Sequence, residues 1–221
     1  MVALPILHGD EVHGVLAFTR DQARVPDEGK ILLLESLTRQ LALFMNRLER
    51  VHEAAVYQDA ALRDVLTGLL NRRAWEERVP ALVARAGRHG EPLCFAILDL
   101  DRFKAYNDAH GHQAGDDLLR AAAASWRSAV RTDDVLARYG GEEFVLAMPA
   151  CDLDAGEELV ERLRQRLPQG VTCSIGLAEW SPDETAAETI GRADRAMYAA
   201  KEAGRDRIFL ARRHGRTAPL T

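Results

Sequence analysis

Two short stretches of this 221-residue sequence bring carboxylate side chains close together. The first begins where the apolar run 93–98, typical of a strand buried on both faces, ends in Asp99 and Asp101. Residues i and i+2 of a strand share a face, so these two acids would repel each other. A hard divalent cation beside them would offset that repulsion. A pair of acids that caps a following helix explains the same residues equally well.

The second stretch is the run Gly140, Gly141, Glu142 and Glu143, which predicts a tight turn between the strands 135–139 and 144–148. Glycines allow a close approach between the backbone and a ligand. If this hairpin lies beside strand 93–98, Glu142 can join the acids there around one or two Mg²⁺ ions. The alternative is an efficient turn that carries solvated glutamates.

Two further pairs have residue types suited to a nucleotide. Lys201 and Arg205 are four apart near the end of a predicted helix, where they could hold phosphates or interact with the helix dipole. Asn107 and Asp116 flank the glycine-bounded segment 111–115, predicted as a tight loop. A carboxylate can accept both adjacent donors of guanine, its N1–H and its 2-amino group, whereas adenine offers neither. Simple loop capping is the alternative for this pair.

The elements that would position these residues begin with a predicted hairpin in residues 1–25 and a helix over 27–63, about 55 Å long. Its apolar residues alternate four and three apart, as in a coiled coil. They are Leu37, Leu41, Phe44, Leu48, Val51, Ala55, Leu62 and Val65, with Gln58 in the gap. Such a stripe favours self-association. The alternative is that the rest of the chain covers it.

Helices and strands alternate in the remainder of the chain. We predict helices over 71–87, 113–130, 153–167 and 185–203, and strands over 93–98, 135–139, 144–148, 171–178 and 207–210. Helices packed on a mixed central sheet give an α/β fold, or α+β sandwich. The basic tail, residues 214–221, is expected to be flexible.

Composition excludes several classes of protein. The net charge of −5 argues against binding nucleic acid through bulk charge. No apolar run is long enough for a membrane span, and the N-terminus does not resemble a signal peptide. Three widely separated cysteines indicate reduced thiols and a cytoplasmic localisation rather than a disulfide framework.

The part of the chain from about 64 to 210 resembles the GGDEF domain of bacterial diguanylate cyclases. Five ordered blocks carry the resemblance. They are Asp64-Val65-Leu66-Thr67-Gly68-Leu69-Leu70-Asn71-Arg72-Arg73; Asp99-Leu100-Asp101-Arg102-Phe103-Lys104 with Asn107-Asp108, Gly111-His112 and Gly115-Asp116; Arg138-Tyr139-Gly140-Gly141-Glu142-Glu143-Phe144, the signature in its GGEEF form; Ser174-Ile175-Gly176; and Ala193-Asp194, Met197-Tyr198, Lys201 and Gly204-Arg205. One departure is Asp206, where the family often has Asn.

The resemblance implies a palm-like fold related to class III nucleotide cyclases, and the conversion of two GTP molecules into cyclic di-GMP and two pyrophosphates. It implies that Asp99, Glu142 and the Leu100 carbonyl hold Mg²⁺ or Mn²⁺, with Glu143 in the catalytic set. It implies substrate contacts from Asn107, Asp116 and His112 at guanine, and from Lys104, Lys201, Arg205 and the Gly140-Gly141 turn at the rest of the nucleotide.

The same resemblance implies a homodimer, since one site holds one GTP and the product needs two. Arg131 and Asp134 match the family's RxxD product-inhibition site. The expected domains are a partial GAF-like hairpin at 1–26, a coiled-coil signalling helix at 27–63 and the GGDEF domain at 64–213. The alternatives are a catalytically silent module that binds GTP or cyclic di-GMP, and an adenylyl or guanylyl cyclase, which the guanine pair and the GGEEF signature disfavour.

Overall fold

The computed structural model describes residues 2–8, 11–19, 28–168, 170–212 and 217–219. Within it the chain divides into two compact units, Met1–Ala61 and Leu62–Thr221. In the described residues, no helix is both long and apolar enough to cross a bilayer.

The first unit is a hairpin packed on a long helix. Strands β1 (Val2–His8) and β2 (Glu11–Phe18) pair antiparallel, as predicted, and residues 9 and 10 of the predicted turn lie outside the described residues. Helix α1 (Glu28–Ala61) agrees with the predicted helix to within two residues at each end. Thr38, which is 4% exposed, lies on the helix face that turns toward β1.

The predicted apolar stripe of α1 lies on a different face from Thr38. Its residues Leu37, Leu41, Phe44 and Leu48 are between 37% and 59% exposed. The hairpin of the first unit therefore does not cover this part of the stripe. The side chains of Val51, Ala55 and Gln58, which continue the stripe, are outside the described part.

The second unit contains seven strands and five helices among its described residues. In chain order they are β3 (Leu70–Asn71), α2 (Arg72–His89), β4 (Leu93–Leu100), α3 (Phe103–His110), α4 (His112–Arg127), β5 (Val135–Gly140), β6 (Glu143–Pro149), α5 (Leu153–Gln165), β7 (Cys173–Glu179), α6 (Ala186–Glu202), β8 (Ile208–Ala211) and β9 (Thr217–Pro219). The predicted mixed α/β architecture is confirmed.

The sheet order is β3-β5-β6-β4-β7-β8-β9. Strand β4 is in the middle, antiparallel to both β6 and β7, whereas β3 pairs parallel with β5 and β7 pairs parallel with β8. The adjacency of the β5–β6 hairpin and β4, on which the predicted cation site depends, is therefore confirmed. Every residue of β4 is buried.

Helices cover both faces of the sheet. Alternate residues of β4 point to opposite layers because side chains along a strand alternate in direction. Cys94, Ala96, Leu98 and Leu100 pack with residues of α4 and α5, whereas Leu93, Phe95 and Ile97 pack with residues of α2 and α6. All three cysteines are free and buried.

Three elements depart from the predictions. Helix α3 and the two-residue strand β3 were not predicted; α3 has no side-chain cap, and its N-cap residue Arg102 has a left-handed φ of 56°. Thr217–Pro219 forms strand β9 against β8, so the segment 214–221 is not simply the flexible tail that the sequence predicts. Residues 213–216 lie outside the described part.

Helix α6 lies unusually close to the sheet at Gly176 of β7. A Cβ atom on Gly176 would overlap the carbonyl oxygen of Ala193 and the amide nitrogen of Met197, both in α6. Only glycine allows this spacing. A capping box between Thr185 and Glu188 fixes the start of the helix. The far end of α6, with Lys201, is therefore held beside the carboxyl end of β4.

Candidate active site

The carboxyl end of β4 carries an almost fully buried acid. Asp99 pairs with Glu143 of β6 on one side and with Ser174 of β7 on the other. Its side chain is 6% exposed and contacts Lys201 of α6, with 2.8 Å between Asp99 Oδ2 and Lys201 Nζ. Lys201, for which the sequence predicts phosphate contacts, thus stands beside the predicted metal ligand Asp99.

The β5–β6 turn brings Glu142 to this same end of the sheet. Gly140 ends β5, Gly141 has a φ of 38°, and Glu143 begins β6. The amide of Leu100 donates to the carbonyl oxygen of Glu142 at 3.3 Å, which ties the turn to the end of β4. The structure therefore brings Asp99, Leu100, Glu142 and Glu143 together, as the sequence predicts.

Arg138 stabilises the glycine turn through hydrogen bonds. Its Nε and Nη2 donate to the carbonyl oxygen of Gly141 at 2.9 and 2.7 Å, and its Nη1 donates to both carboxylate oxygens of Asp64 at 3.1 and 3.2 Å. The backbone amide and hydroxyl of Thr67 also donate to Asp64. Together these donors hold the pKa of Asp64 below its usual range although burial opposes them. The sequence pattern predicts no role for Arg138 or Asp64.

Burial raises the pKa of Asp99 to about 6. Lys201 lowers this pKa by hydrogen bonding and charge, whereas the nearby negative charges of Glu142 and Glu143 raise it further. Burial and like charge both disfavour the ionised carboxylate, and a bound cation would favour it. The buried carboxylate of Asp99, with the charge of Glu142 near enough to raise its pKa, thus suits a hard divalent cation.

We expect Asp99→Asn to make the metal-free protein more stable, by about 1–3 kcal/mol at pH 7, because an ionised buried carboxylate is lost. The folded state binds this proton more tightly than the unfolded state does, so the destabilisation is complete above pH 6 and fades toward pH 4. The stability difference between variant and parent should therefore fall to about half by pH 5. Urea unfolding followed by tryptophan fluorescence measures it, since Trp75, Trp126 and Trp180 all belong to the second unit. A difference that grows on acidification would contradict the assignment.

Asp101 does not share a cation site with Asp99, contrary to one interpretation of the sequence. Its carboxylate accepts from the hydroxyls of Thr172 and Ser174, each at 2.7 Å, and from the backbone amide of Asp206 at 3.0 Å. Both oxygens are therefore used by the protein. The reason is that Asp101 lies past the end of β4, where β7 and the segment after α6 supply donors.

The prediction of a tight loop over 111–115 is wrong, because most of this segment is helical. Only Gly111 separates α3 from α4, so Gly115 and Asp116 lie in the first turns of α4 and Asn107 lies in α3. A Cβ on Gly115 would overlap Oδ1 of Asn107. Two glycines in this segment therefore mark a helix junction and a close packing contact.

Asn107 and Asp116, the predicted base-reading pair, are both partly exposed. Asn107 Oδ1 is the one buried side-chain oxygen or nitrogen for which the described residues provide no hydrogen-bond partner. A buried acceptor without a donor is costly unless a ligand supplies one. Lys104 and His112, also predicted to contact substrate, are exposed on α3 and at the start of α4.

In the residues that the structure describes, no cluster of three or more His, Cys, Asp or Glu side chains is arranged to hold a metal ion. A cation at Asp99 and Glu142 would therefore need further oxygen ligands, such as a main-chain carbonyl or the phosphates of a substrate.

A separate cleft of about 340 Å³ lies beside the Arg131–Asp134 turn. The carboxylate of Asp134 accepts from the backbone amide of Arg131 at 2.7 Å, and burial raises the pKa of Asp134. Four arginines line the cleft: Arg63, Arg78, Arg127 and Arg131. Such a concentration of guanidinium groups suits a ligand with phosphates or guanine edges.

Comparisons with known proteins agree with this geometry. The family model described as "Diguanylate cyclase, GGDEF domain" matches residues 61–207. The chain is 37% identical over 227 residues to the diguanylate cyclase DgcP of Pseudomonas aeruginosa, with 95% of this chain and 33% of that protein covered. The chain thus spans about a third of the length of this curated relative.

Solved structures are similar as well. The coiled coil and GGDEF domain of DgcB from Caulobacter crescentus, in complex with c-di-GMP, match with a TM-score of 0.72 and 33% identity, over 80% of this chain and all of that one. The active GGEEF domain of a diguanylate cyclase from Vibrio cholerae matches with a TM-score of 0.61 and 32% identity, over 66% of this chain and 99% of that one.

Proposed function

Because the chain belongs to the GGDEF domain family of diguanylate cyclases, we propose that it condenses two GTP molecules into cyclic di-GMP and releases two pyrophosphates. The observation that carries the proposal is the buried Asp99 at the end of β4, with Glu142 tied beside it and Lys201 in contact with it. A protein that only binds nucleotide has no need for two converging acids. The GGEEF domain from Vibrio cholerae, described as active, carries the same form of the signature.

Asp99, Glu142 and the carbonyl of Leu100 are the residues that would hold Mg²⁺ or Mn²⁺. A divalent cation, when bound, lowers the pKa of a substrate hydroxyl and offsets charge on the transferring phosphoryl group. The chain contributes by placing the buried carboxylate of Asp99 at the end of β4 and by holding the turn that carries Glu142 beside it.

Asn107 and Asp116 would recognise guanine. The free acceptor of Asn107 suits one N–H of the base, and the carboxylate of Asp116 can accept from its N1–H and 2-amino group. His112, at the start of α4, would support this end of the site. Lys104, Lys201 and Arg205 would hold the phosphates as fixed cations, with the Gly140-Gly141 turn close to the nucleotide.

The reaction joins the 3′-oxygen of one nucleotide to the α-phosphorus of another, and the bond from that phosphorus to pyrophosphate breaks. The hydroxyl proton must leave, and Glu142 is the acceptor that the chain offers. Glu143, opposite Asp99 in the sheet, adds negative charge to the same end of the site. Much of the acceleration comes from holding the two nucleotides in register.

Each chain has one such site, so two chains must face each other. The exposed stripe of α1 supports a coiled-coil homodimer, and the matching DgcB structure is itself a coiled coil with a GGDEF domain. We further propose that α1 is a signalling helix and that the hairpin before it is the end of a GAF-like sensor. A signal from the sensor would then change the relative position of the two active sites rather than the chemistry within each site.

Incubating the purified protein with GTP and Mg²⁺ and separating the nucleotides tests the proposed activity. Cyclic di-GMP with pyrophosphate is the expected result. Unchanged GTP that is nevertheless retained by the protein would favour the silent binding module. A cyclic mononucleotide would indicate an adenylyl or guanylyl cyclase.

Arg131→Ala is expected to weaken product inhibition by at least about tenfold without lowering the initial rate, because an arginine that can pair with guanine is removed from the cleft. Initial rates at increasing cyclic di-GMP concentrations measure the effect. Arg73→Ala, in an exposed ion pair with Glu77 of α2, is the matched control. An unchanged inhibition curve for Arg131→Ala would remove the cleft as the product site.

A further inference from the structure

The segment that joins α6 to β8 has an unusual backbone. Gly204, Arg205 and Asp206 have φ angles of 117°, 66° and 47°, so two residues other than glycine adopt left-handed conformations in succession. Such a conformation is unfavourable for residues with a Cβ atom and persists only where the surroundings impose it. The amide of Arg205 donates to the carbonyl oxygen of Ala200 at 3.0 Å, which closes the end of α6.

Asp101 imposes this conformation from the side of β4. Its Oδ2 accepts from the backbone amide of Asp206 at 3.0 Å, and its other contacts, to Thr172 and Ser174, fix the carboxylate on β7 and the segment that leads into it. Ser174 is fully buried. The acceptor for the strained turn is therefore rigid.

Arg164 of α5 holds the same turn from the other side. Its Nη1 donates to Asp206 Oδ1 at 2.5 Å and to the carbonyl oxygen of Asp206 at 3.3 Å. Its Nε and Nη2 donate to Glu161 at 2.8 and 2.7 Å, which orients the guanidinium. An asparagine at position 206 would lack the charge that completes this ion pair, so Asp206 gives this chain an ionic anchor.

We propose that Asp101 and Arg164 are positioning residues that hold the turn 204–206 and thereby aim Arg205 at the triphosphate. The proposal rests on the proposed function for the role of Arg205. Arg205 is exposed and lies just beyond the end of α6 at Glu202, while Lys201, in the last turn of α6, contacts Asp99. Neither positioning residue needs to touch the substrate. Each acts through the backbone that carries Arg205.

The test is a double-mutant cycle with Arg205. Arg164→Gln and Asp206→Asn should each raise the KM for GTP about 3–10-fold with kcat nearly unchanged, because a charge-assisted phosphate contact is misaligned. In an Arg205→Ala background, Arg164→Gln should change KM by less than about twofold. Arg73→Gln, which removes an exposed ion pair on α2, serves as the control and should leave KM unchanged. An equal effect of Arg164→Gln with and without Arg205 would overturn the proposal, as would a loss confined to kcat.

Hydrogen exchange separates this proposal from the activity itself. The Asp206 amide should exchange at least about tenfold faster in Asp101→Asn and in Arg164→Gln, while amides of β4 stay protected. Binding of a GTP analogue with a methylene bridge between the α- and β-phosphates is measured in parallel. A parent protein that neither binds this analogue nor converts GTP would refute the proposed function, whereas the exchange result would still report on the anchors. Unchanged Asp206 exchange in both variants would refute the anchoring.

Discussion

Replacing Glu142 with glutamine should reduce cyclic di-GMP formation by at least about a thousandfold. The neutral amide can neither balance the charge of a divalent cation nor accept the proton of the 3′-hydroxyl. Because the backbone of Glu142 is held by Leu100, and that of Gly141 by Arg138, the substitution should leave the turn in place. Nucleotide separation after incubation with GTP and Mg²⁺ gives the rate.

The control for this change is Glu179→Gln. Glu179 lies at the opposite end of β7 from the candidate site. The substitution therefore removes one negative charge from the same sheet without changing the site. Its rate should remain within about twofold of the parent. Full activity of Glu142→Gln would contradict the catalytic role assigned to this carboxylate. Equal losses of activity in Glu142→Gln and Glu179→Gln would indicate a general effect of charge.

The second large effect is expected in α1. The double variant Leu41→Glu with Leu48→Glu places like charges along the exposed apolar stripe, which should dissociate a coiled coil. At low protein concentration its specific activity should fall at least about tenfold below that of the parent, and it should rise again as the protein is concentrated, because the proposed reaction brings two sites together. Sedimentation measurements on the same samples report the association state.

A matched variant distinguishes loss of the stripe from added charge. Gln40→Glu with Arg47→Glu introduces acids one residue before each leucine, at exposed positions off the stripe. It should retain dimerisation and activity. If the leucine variant is monomeric and still fully active when dilute, then two opposed copies are not required and the account of α1 is wrong.

Features that depend on neighbouring residues were predictable from the sequence. The long apolar run 93–98 marked β4 because continuous burial has a simple pattern, and two glycines followed by acids marked the hairpin turn. The heptad spacing defined α1 almost to its ends for the same reason. Asp99 was placed correctly at a strand end because its position follows from the strand alone.

Features that depend on distant partners were not predictable in this way. Arg138 and Asp64 are 74 residues apart, and Asp101 and the Asp206 amide are 105 apart. The order of neighbouring residues does not reveal such distant pairs. Asp101 was therefore interpreted as a second metal ligand, because it lies two residues after Asp99. Helix α3 was not predicted, because it is only eight residues long and has no side-chain cap that would mark its start in the sequence. The resemblance to a family supplied residue roles, but the close contact between Gly115 and Asn107 required coordinates to be understood.

The contact between Gly176 and α6 has a consequence for the candidate site. Any larger residue there would push α6 away from β7 and so move Lys201 away from Asp99. A single substitution at Gly176 could thus remove both the Lys201–Asp99 contact and the phosphate contact proposed for Lys201. The proposed activity would then depend on the spacing between two backbones, at a position outside the GGEEF turn itself.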